Sequence, residues 1–160
     1  MRYNPDHCKR LKQIVEPLLL WYRKDHRQLP WRDNPSPYRV WVSEIMLQQT
    51  RVEAVKPYFE RFLRELPTIE DLAECPEEKL LKLWEGLGYY SRVRNMQKCA
   101  QQVVSLYQGH FPADEALLKK LPGIGDYTAG AVASIAFDLP VPAVDGNVLR
   151  VLTRVLSCTR

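Results

Sequence analysis

The stretch LPGIGDYTAGAV, residues 121–132, decides the fold. It joins two segments whose apolar residues recur at helical spacing. Gly123 and Gly125 stand one residue apart, and glycine adopts torsions that other residues resist and lets a ligand approach the backbone. A helix that starts near Asp126 leaves its first amides without intrahelical partners, so the turn suits an anion such as phosphate. The alternative is a tight corner between helices whose glycines serve only the turn.

The rest of the sequence also predicts helices. Pro17 lies inside the first amphipathic segment and predicts a kink or the start of a second helix. The run QLPWRDNPSP (28–37) holds three prolines and predicts an ordered loop, and the run GLG (86–88) predicts a break. Caps and first-turn prolines predict helix starts at Pro5, Ser36-Pro37, Thr50 with Glu53, Thr68, Pro76 and Gly146.

No segment of the sequence favours β-structure, because none alternates apolar and polar residues and no hairpin turn lies between β-rich runs. The sequence therefore predicts an all-α protein of about eight to ten helices with short connections. A chain of 160 residues suits one domain or slightly more. Its 46% apolar and 26% charged content excludes disorder throughout, collagen and a disulfide scaffold.

The charge distribution narrows the choice of partner. The net charge of +4 is mild, but residues 60–85 hold eight acids and four bases. Residues 86–110, by contrast, hold Arg92, Arg94 and Lys98 and no acid. One face therefore suits a polyanion, although solvated basic helix faces explain the same pattern.

Cysteine spacing and hydropathy indicate which cellular compartment to expect for the protein. The four cysteines are widely spaced, which predicts free thiols and supports no zinc or iron–sulfur site in this chain. No apolar run approaches the ~18 residues of a membrane span, and no uninterrupted apolar stretch follows Met1. We therefore expect a cytoplasmic protein. The cysteines are Cys8, Cys75, Cys99 and Cys158.

Two carboxylates stand in settings that suit opposite protonation states. Glu44 lies within the run VSEIML (42–47), on a helix expected to be buried, and burial raises a carboxyl pKa. Asp145 follows the run VPAV (141–144) at a helix start, where the helix dipole favours the ionised form. The alternatives are a Glu44 that is paired or hydrogen-bonded to backbone and an Asp145 that only caps its helix.

Five runs, taken together and in order, resemble the helix–hairpin–helix DNA glycosylases, and within them the MutY-type adenine DNA glycosylases. The runs are LPWR (29–32), VWVSEIMLQQTRV (40–52), WEGLGYYSRVRN (84–95), LPGIGDYTAGAV (121–132) and PAVDGNVLRVL (142–152). The resemblance implies a six-helix barrel and a hairpin that grips a DNA backbone without reading sequence. It assigns residues 1–28 to a helical segment of an incomplete second domain. It assigns residues 29–140 to the barrel, with the hairpin at 114–137, and residues 141–160 to the catalytic aspartate loop and the helix after it.

The resemblance also implies the chemistry, which is removal of adenine mispaired with 8-oxoguanine or guanine by hydrolysis of the N-glycosidic bond. Glu44 is then the general acid that protonates adenine N7, and Asp145 is the ionised group that stabilises the cationic sugar. Asn147 helps to hold base and sugar near the acid. Tyr127 stands where endonuclease III-type relatives carry a lysine nucleophile. Tyrosine forms no Schiff base, so a monofunctional enzyme is expected; the alternative role for Tyr127 is packing in the hairpin.

The target base must leave the duplex to reach the acid. The resemblance assigns the adenine pocket to Arg27, Leu29, Trp31, Arg32, Leu47 and Val52. It assigns DNA contacts to Gln48, Gln49, Thr50, Leu87, Tyr89, Arg92, Gly123, Gly125 and Thr128. An aromatic at position 89 is suited to stack where a base was lost. The alternatives are packing of Tyr89 beneath the glycine turn and solvation of Arg92.

Full-length relatives continue past the equivalent of Arg160, into four cysteines that bind a [4Fe–4S] cluster and a domain that recognises 8-oxoguanine. We therefore expect an N-terminal catalytic portion without a cofactor of its own, with the cluster in the full-length protein. The expected partner is double-stranded DNA with A:8-oxoguanine or A:G, bound by a nucleoid-associated monomer. The first helix is then expected to expose an apolar face formed by Leu11, Val15, Leu18, Leu19 and Trp21.

Residues Leu121–Gly125 are also suited to a monovalent cation, held between backbone carbonyls and a phosphate. Two other functions stay open at this point. One is a thymine-mismatch glycosylase on the same scaffold, and the other is a non-catalytic DNA-binding fragment.

Overall fold

The computed structural model describes residues 5–156. Within that range the chain forms nine α-helices and no strand, which confirms the predicted all-α class. The chain separates into two compact units, one of Met1–Gln28 with Val144–Arg160 and one of Leu29–Ala143. In the described range the first unit holds α1 (Pro5–Asp25) and α9 (Gly146–Val155).

The second unit holds seven helices, of which α7 is a single turn. Helix α2 packs against α3 and α8, α4 packs against α6, and α5 packs against both α3 and α6. The short connections predicted from the sequence keep these helices close together. The helices are α2 (Pro37–Leu47), α3 (Val52–Glu65), α4 (Ile69–Glu74), α5 (Glu77–Trp84), α6 (Ser91–Tyr107), α7 (Glu115–Leu118) and α8 (Asp126–Ala136).

Helix α2 lies at the centre of the second unit's core. Trp41, Val42 and Met46 on this helix are fully buried. Helices that bury only one stripe are amphipathic, whereas α2 carries apolar residues on most of its faces and is enclosed by its neighbours. Its neighbour α8 buries mainly small residues, Ala129 and Ala133 among them, which lets the two backbones approach closely.

Two of the predicted helix caps are present. Ser36 accepts a hydrogen bond from the amide of Arg39 at 3.4 Å and starts α2 with Pro37 in its first turn. Thr68 and Asp71 exchange side-chain and backbone hydrogen bonds at the start of α4, which makes a complete capping box.

The capping box predicted at Thr50 and Glu53 is wrong. Helix α3 begins at Val52, and Arg51 is its extended N-cap without a side-chain cap. The Thr50 hydroxyl instead donates to the carbonyl of Gln48 at 3.3 Å, within the turn that ends α2. Glu53 pairs with Lys56 at 2.9 Å. Both side chains therefore bond to nearby groups instead of capping the helix, because the chain does not become helical until one residue later.

The glycine turn at residues 86–88 separates α5 from α6, as predicted. Gly86 and Gly88 have φ values of +99° and +69°, which favour glycine. Two aromatic side chains fix this turn. The Tyr58 hydroxyl donates to the carbonyl of Glu85 at 3.0 Å, and the Trp84 indole donates to the carbonyl of Gly88 at 3.0 Å.

In the first unit, α1 continues through Pro17 as one helix of 21 residues, so no second helix starts there. Of the apolar residues expected on its surface, Leu11 is half-buried, whereas Val15, Leu18, Leu19 and Trp21 are exposed. No helix between residues 5 and 156 combines the length and the apolar character that crossing a bilayer requires.

Candidate functional site

The hairpin between α7 and α8 presents backbone groups at an exposed tip. Ile124 donates its amide to the carbonyl of Leu121 at 3.2 Å, which closes the turn. Gly123 has φ +75°, and Gly125 is the N-cap of α8 without any side-chain cap. Both glycines are exposed. The first amides of α8 are therefore available to an anion at the helix start.

A lysine braces the same hairpin. Lys119 Nζ lies 2.7 Å from Glu115 Oε1 on α7 and 3.1 Å from Asp126 Oδ1 on α8. Both carboxylates hold this ammonium group, which raises its pKa. Thr128, assigned above to DNA contact, is buried in the first turn of α8. Contact of Thr128 with DNA stays a prediction.

Glu44 is carried by α2, between the buried residues Ser43 and Ile45. The helix is buried as predicted, but Glu44 itself is only half-buried, between two buried neighbours. Ser43 donates its hydroxyl back to the carbonyl of Val40 at 2.8 Å, so its polar group is satisfied within the helix.

Asp145 lies in the first unit and is the N-cap of α9. Its Oδ1 accepts the amide of Val148 at 2.8 Å, and its Oδ2 accepts the side-chain amide of Asn147 at 2.9 Å. Both hydrogen bonds lower the pKa of Asp145 below its usual range, and the bond from the Val148 amide is the larger cause. The cap that the sequence left as an alternative is thus present, and the same hydrogen bonds favour the ionised form of the carboxylate. Tyr127, in the first turn of α8, is partly exposed.

The residues assigned to an adenine pocket occupy different environments. Leu29 and Trp31 are buried, and Trp31 packs edge-on against Phe59 at 5.4 Å between ring centroids. Leu47 and Val52 are half-buried, and Arg32 is exposed. Arg27 lies in the first unit, after α1, and is exposed.

The turn after α2 and the glycine turn line one surface recess of about 170 Å³. Gln48, Gln49 and Tyr89 contribute to it, together with Ser91 and Arg92. Thr50 follows at the edge of the same turn and is half-buried. Leu87 is buried between the two glycines of the turn, and its contact with DNA stays a prediction.

Arg92 has an internal role that the sequence did not predict. Its Nη1 donates to the carbonyls of Ile45 and Gln48 at 2.9 and 2.7 Å, and its Nη2 donates to that of Leu87 at 3.0 Å. Desolvation by the surrounding protein lowers the pKa of this guanidinium. Contact of Arg92 with phosphate stays a prediction that the geometry does not favour, because the terminal nitrogens are already occupied.

Two further residues support this region and were missed. Arg39 donates to the carbonyl of Pro30 at 2.9 Å and lies over the ring of Phe59, which ties the proline-rich loop to α2. Asn95 on α6 packs against the hairpin, since a methyl group at Gly123 would lie 3.0 Å from its Cβ. The sequence marks neither residue, because each role depends on a backbone group distant in sequence.

No group of three or more His, Cys, Asp and Glu side chains in residues 5–156 is placed to hold a metal ion. Cys8, Cys75 and Cys99 are free thiols, and Cys158 lies outside the described residues. The cysteines within residues 5–156 are not grouped as an iron–sulfur cluster requires. The cluster of the full-length protein and the cation at Leu121–Gly125 stay predictions.

Comparison with known proteins shows which family the chain belongs to. Residues 42–160 match the model of the HhH-GPD superfamily of base excision DNA repair proteins. A thermostable thymine-DNA glycosylase superposes with a TM-score of 0.85 at 30% identity, over 91% of this chain and 67% of that one. Endonuclease III in a trapped covalent complex with DNA superposes with a TM-score of 0.81 at 28% identity, over 94% and 70%. The chain belongs to the HhH-GPD superfamily.

Within that superfamily the chain is similar to adenine DNA glycosylases. It is 50% identical over 147 residues to the adenine DNA glycosylase of Rattus norvegicus, covering 86% of this chain and 28% of that protein. It is 46% identical over 145 residues to that of Buchnera aphidicola subsp. Baizongia pistaciae, covering 90% and 41%. The chain therefore spans well under half the length of these curated relatives.

Proposed function

We propose that this chain is the catalytic portion of a monofunctional DNA glycosylase that removes adenine mispaired with 8-oxoguanine or guanine. The observation that carries the proposal is Asp145, whose two carboxylate oxygens accept hydrogen bonds from Val148 and Asn147 and whose pKa is lowered. An ionised carboxylate fixed at a helix start is what a cationic sugar requires. The named relatives supply the base specificity, since they are adenine DNA glycosylases.

In the proposed reaction the bond between C1′ of the sugar and N9 of adenine breaks, and its electron pair leaves with the base. Glu44 donates its proton to N7, so adenine departs neutral. Asp145 stabilises the positive charge that develops on the sugar. Water then adds to C1′ and passes its proton to the Glu44 carboxylate, which restores the acid and leaves an abasic site.

The hairpin binds the DNA backbone in this proposal, and Gly123, Gly125 and the amide of Thr128 are the groups that hold a phosphate. The residues assigned above to the adenine pocket receive the base that leaves the duplex. Tyr127 has no amine, so it cannot attack the sugar and cleave the strand. The partner is double-stranded DNA, bound by a monomer associated with the nucleoid.

Single-turnover adenine release from an A:8-oxoguanine duplex, with Glu44→Gln as the matched variant, tests the proposal. Release is expected from the parent chain and not from the variant. A T:G duplex in parallel tests a thymine glycosylase, which the superposition on a thymine-DNA glycosylase makes the second candidate. Binding without release of either base contradicts catalysis by this chain. Covalent trapping on abasic DNA by borohydride contradicts the monofunctional assignment.

A further inference from the structure

Two residues that line one recess share an unusual backbone conformation. Gln49 and Tyr89 have φ values of +56° and +48°, although neither is glycine. Such torsions cost energy for bulky side chains and persist only where the surroundings impose them. Both residues are exposed, and both line the recess of about 170 Å³ after α2. The surroundings of these two residues therefore hold them in place.

Arg92 is the side chain that joins the two strained turns. On one side its Nη1 donates to the carbonyl of Gln48 at 2.7 Å, directly before Gln49. On the other side its Nη2 donates to the carbonyls of Leu87 and Gly88 at 3.0 and 3.2 Å, directly before Tyr89. One guanidinium thus fixes the peptide groups that precede both strained residues.

The contacts of Arg92 depend on the shape of its guanidinium. The group is planar and presents donors in a rigid fork, which is how it reaches acceptors in two separate turns at once. Its centre also lies 5.3 Å from the Trp84 ring and 5.6 Å from the Tyr89 ring. A lysine ammonium keeps the charge but is a point, and it cannot occupy both sets of carbonyls.

We propose that Arg92 is a positioning residue, which holds Gln49 and Tyr89 as one rigid probe and so sets how well the enzyme distinguishes a mispair from a normal pair. The inference rests on the proposed function, because it takes these two residues as the ones that meet the duplex. Arg92 acts through the turns and touches neither the target base nor the sugar. A phosphate contact is the competing role, and it requires the charge but not the fork.

The test is Arg92→Lys, measured in a Glu44→Gln background so that DNA binds without reacting. The dissociation constant is measured by fluorescence anisotropy for an A:8-oxoguanine duplex and for the same duplex with A:T. The preference is the dissociation constant for the A:T duplex divided by that for the A:8-oxoguanine duplex. We expect this ratio to fall by about tenfold, which is the loss expected when hydrogen bonds from a charged group are broken. Binding to the A:T duplex is expected to stay within about twofold, because the charge is retained.

Arg61→Lys is the matched control. Arg61 also donates to a carbonyl, that of Leu83 at 2.9 Å, and lies over the ring of Tyr58, but it does not line the recess. This substitution is expected to leave the ratio unchanged. Gly88→Ala is a second variant, which strains the glycine turn at φ +69° in open space and keeps Arg92. It is expected to lower the ratio in the same way.

The outcomes separate the two proposals. Absence of adenine release from the parent chain overturns the proposed function, whereas equal affinity of the Glu44→Gln protein for the two duplexes overturns the role of Arg92 in specificity. If the preference for A:8-oxoguanine over A:T is the same in Arg92→Lys and Gly88→Ala as in the parent protein, the positioning role alone is overturned. Equal weakening of both duplexes in Arg92→Lys also overturns the positioning role, because such a loss does not depend on the mispair.

Discussion

Asn147 donates its side-chain amide to Oδ2 of Asp145 at 2.9 Å, from the first turn of the helix that Asp145 caps. The other carboxylate oxygen is held by the amide of Val148 at 2.8 Å. Arg150 in turn donates to Oδ1 of Asn147 at 3.3 Å, which orients the amide group of Asn147. The sequence DGN therefore builds a short network that favours the ionised form of one carboxylate and fixes its orientation.

Removal of the Asn147 amide is expected to raise the pKa of Asp145. The rise is partial in Asn147→Ala, because the larger cause, the Val148 amide, remains. The folded-state pKa of Asp145 lies below its unfolded value, so its contribution to stability is present at neutral pH and lost as the pH falls through the folded pKa. In the variant that loss moves to higher pH.

Carbon-13 NMR of the Asp145 carboxyl group measures this shift directly. Thr153→Val on the same helix is the control, since the Thr153 hydroxyl donates only to the carbonyls of Leu149 and Arg150. An unchanged Asp145 titration in Asn147→Ala contradicts the prediction.

The capping and catalytic roles of Asp145 separate in two substitutions. Asn also accepts the Val148 amide, so Asp145→Asn is expected to lose less stability than Asp145→Ala, and to lose adenine release by at least about 100-fold. Asp145→Ala is expected to lose release and also about 1 kcal/mol of stability, because α9 loses its cap. Single-turnover kinetics and urea unfolding measure the two effects. Full activity in Asp145→Asn contradicts the proposed role of the carboxylate.

Gly130 is expected to tolerate no larger residue. A methyl group there would overlap the carbonyl oxygen of Pro142 and lie 3.1 Å from its carbonyl carbon, so α8 and this segment must separate. We expect Gly130→Ala to destabilise the protein by about 1–3 kcal/mol, although alanine is the better helix former.

Gly146→Ala is the control for the Gly130 substitution, since nothing lies within 4 Å of the added methyl group. Its unfolding free energy is expected to change by less than about 0.5 kcal/mol. Equal unfolding midpoints in urea for the two variants contradict the packing argument.

Gly123 and Gly125 differ in backbone conformation and in the space around them, so we expect alanine at the two positions to have different effects. Gly123 has φ +75°, and a methyl group added to it would lie 3.0 Å from Asn95 Cβ. Gly125 has φ −90°, and an added methyl group would have no neighbour within 4 Å. We expect Gly123→Ala to weaken binding to an undamaged duplex by about tenfold, because strain of about 1–3 kcal/mol distorts the hairpin.

Gly125→Ala is expected to bind the same duplex within about threefold of the parent chain, because the added methyl group meets no strain and removes no amide. Anisotropy at constant salt measures both variants. Equal affinity of the two variants contradicts the prediction.

Helix starts show how far local sequence predicts this fold. Thr68 with Asp71 and Thr50 with Glu53 have the same spacing of cap and acid, and only the first pair forms a capping box. A capping box requires a residue that is extended at the cap and helical directly after it. At Thr50 the chain is still completing the turn that ends α2, and the hydroxyl donates to the carbonyl of Gln48.

The sequence by itself determined the helical class, the glycine turns, the hairpin and the cap at Asp145, because each depends on residues within about five positions of one another. The tertiary structure alone decided that Leu87 is buried and that Arg92 binds carbonyls of Ile45 and Gln48, more than forty residues away. A guanidinium donates to a phosphate and to a carbonyl with the same geometry, so its residue type does not identify its acceptor. The tertiary structure brings the end of α2 within reach of Arg92, and a local sequence pattern does not contain such long-range contacts.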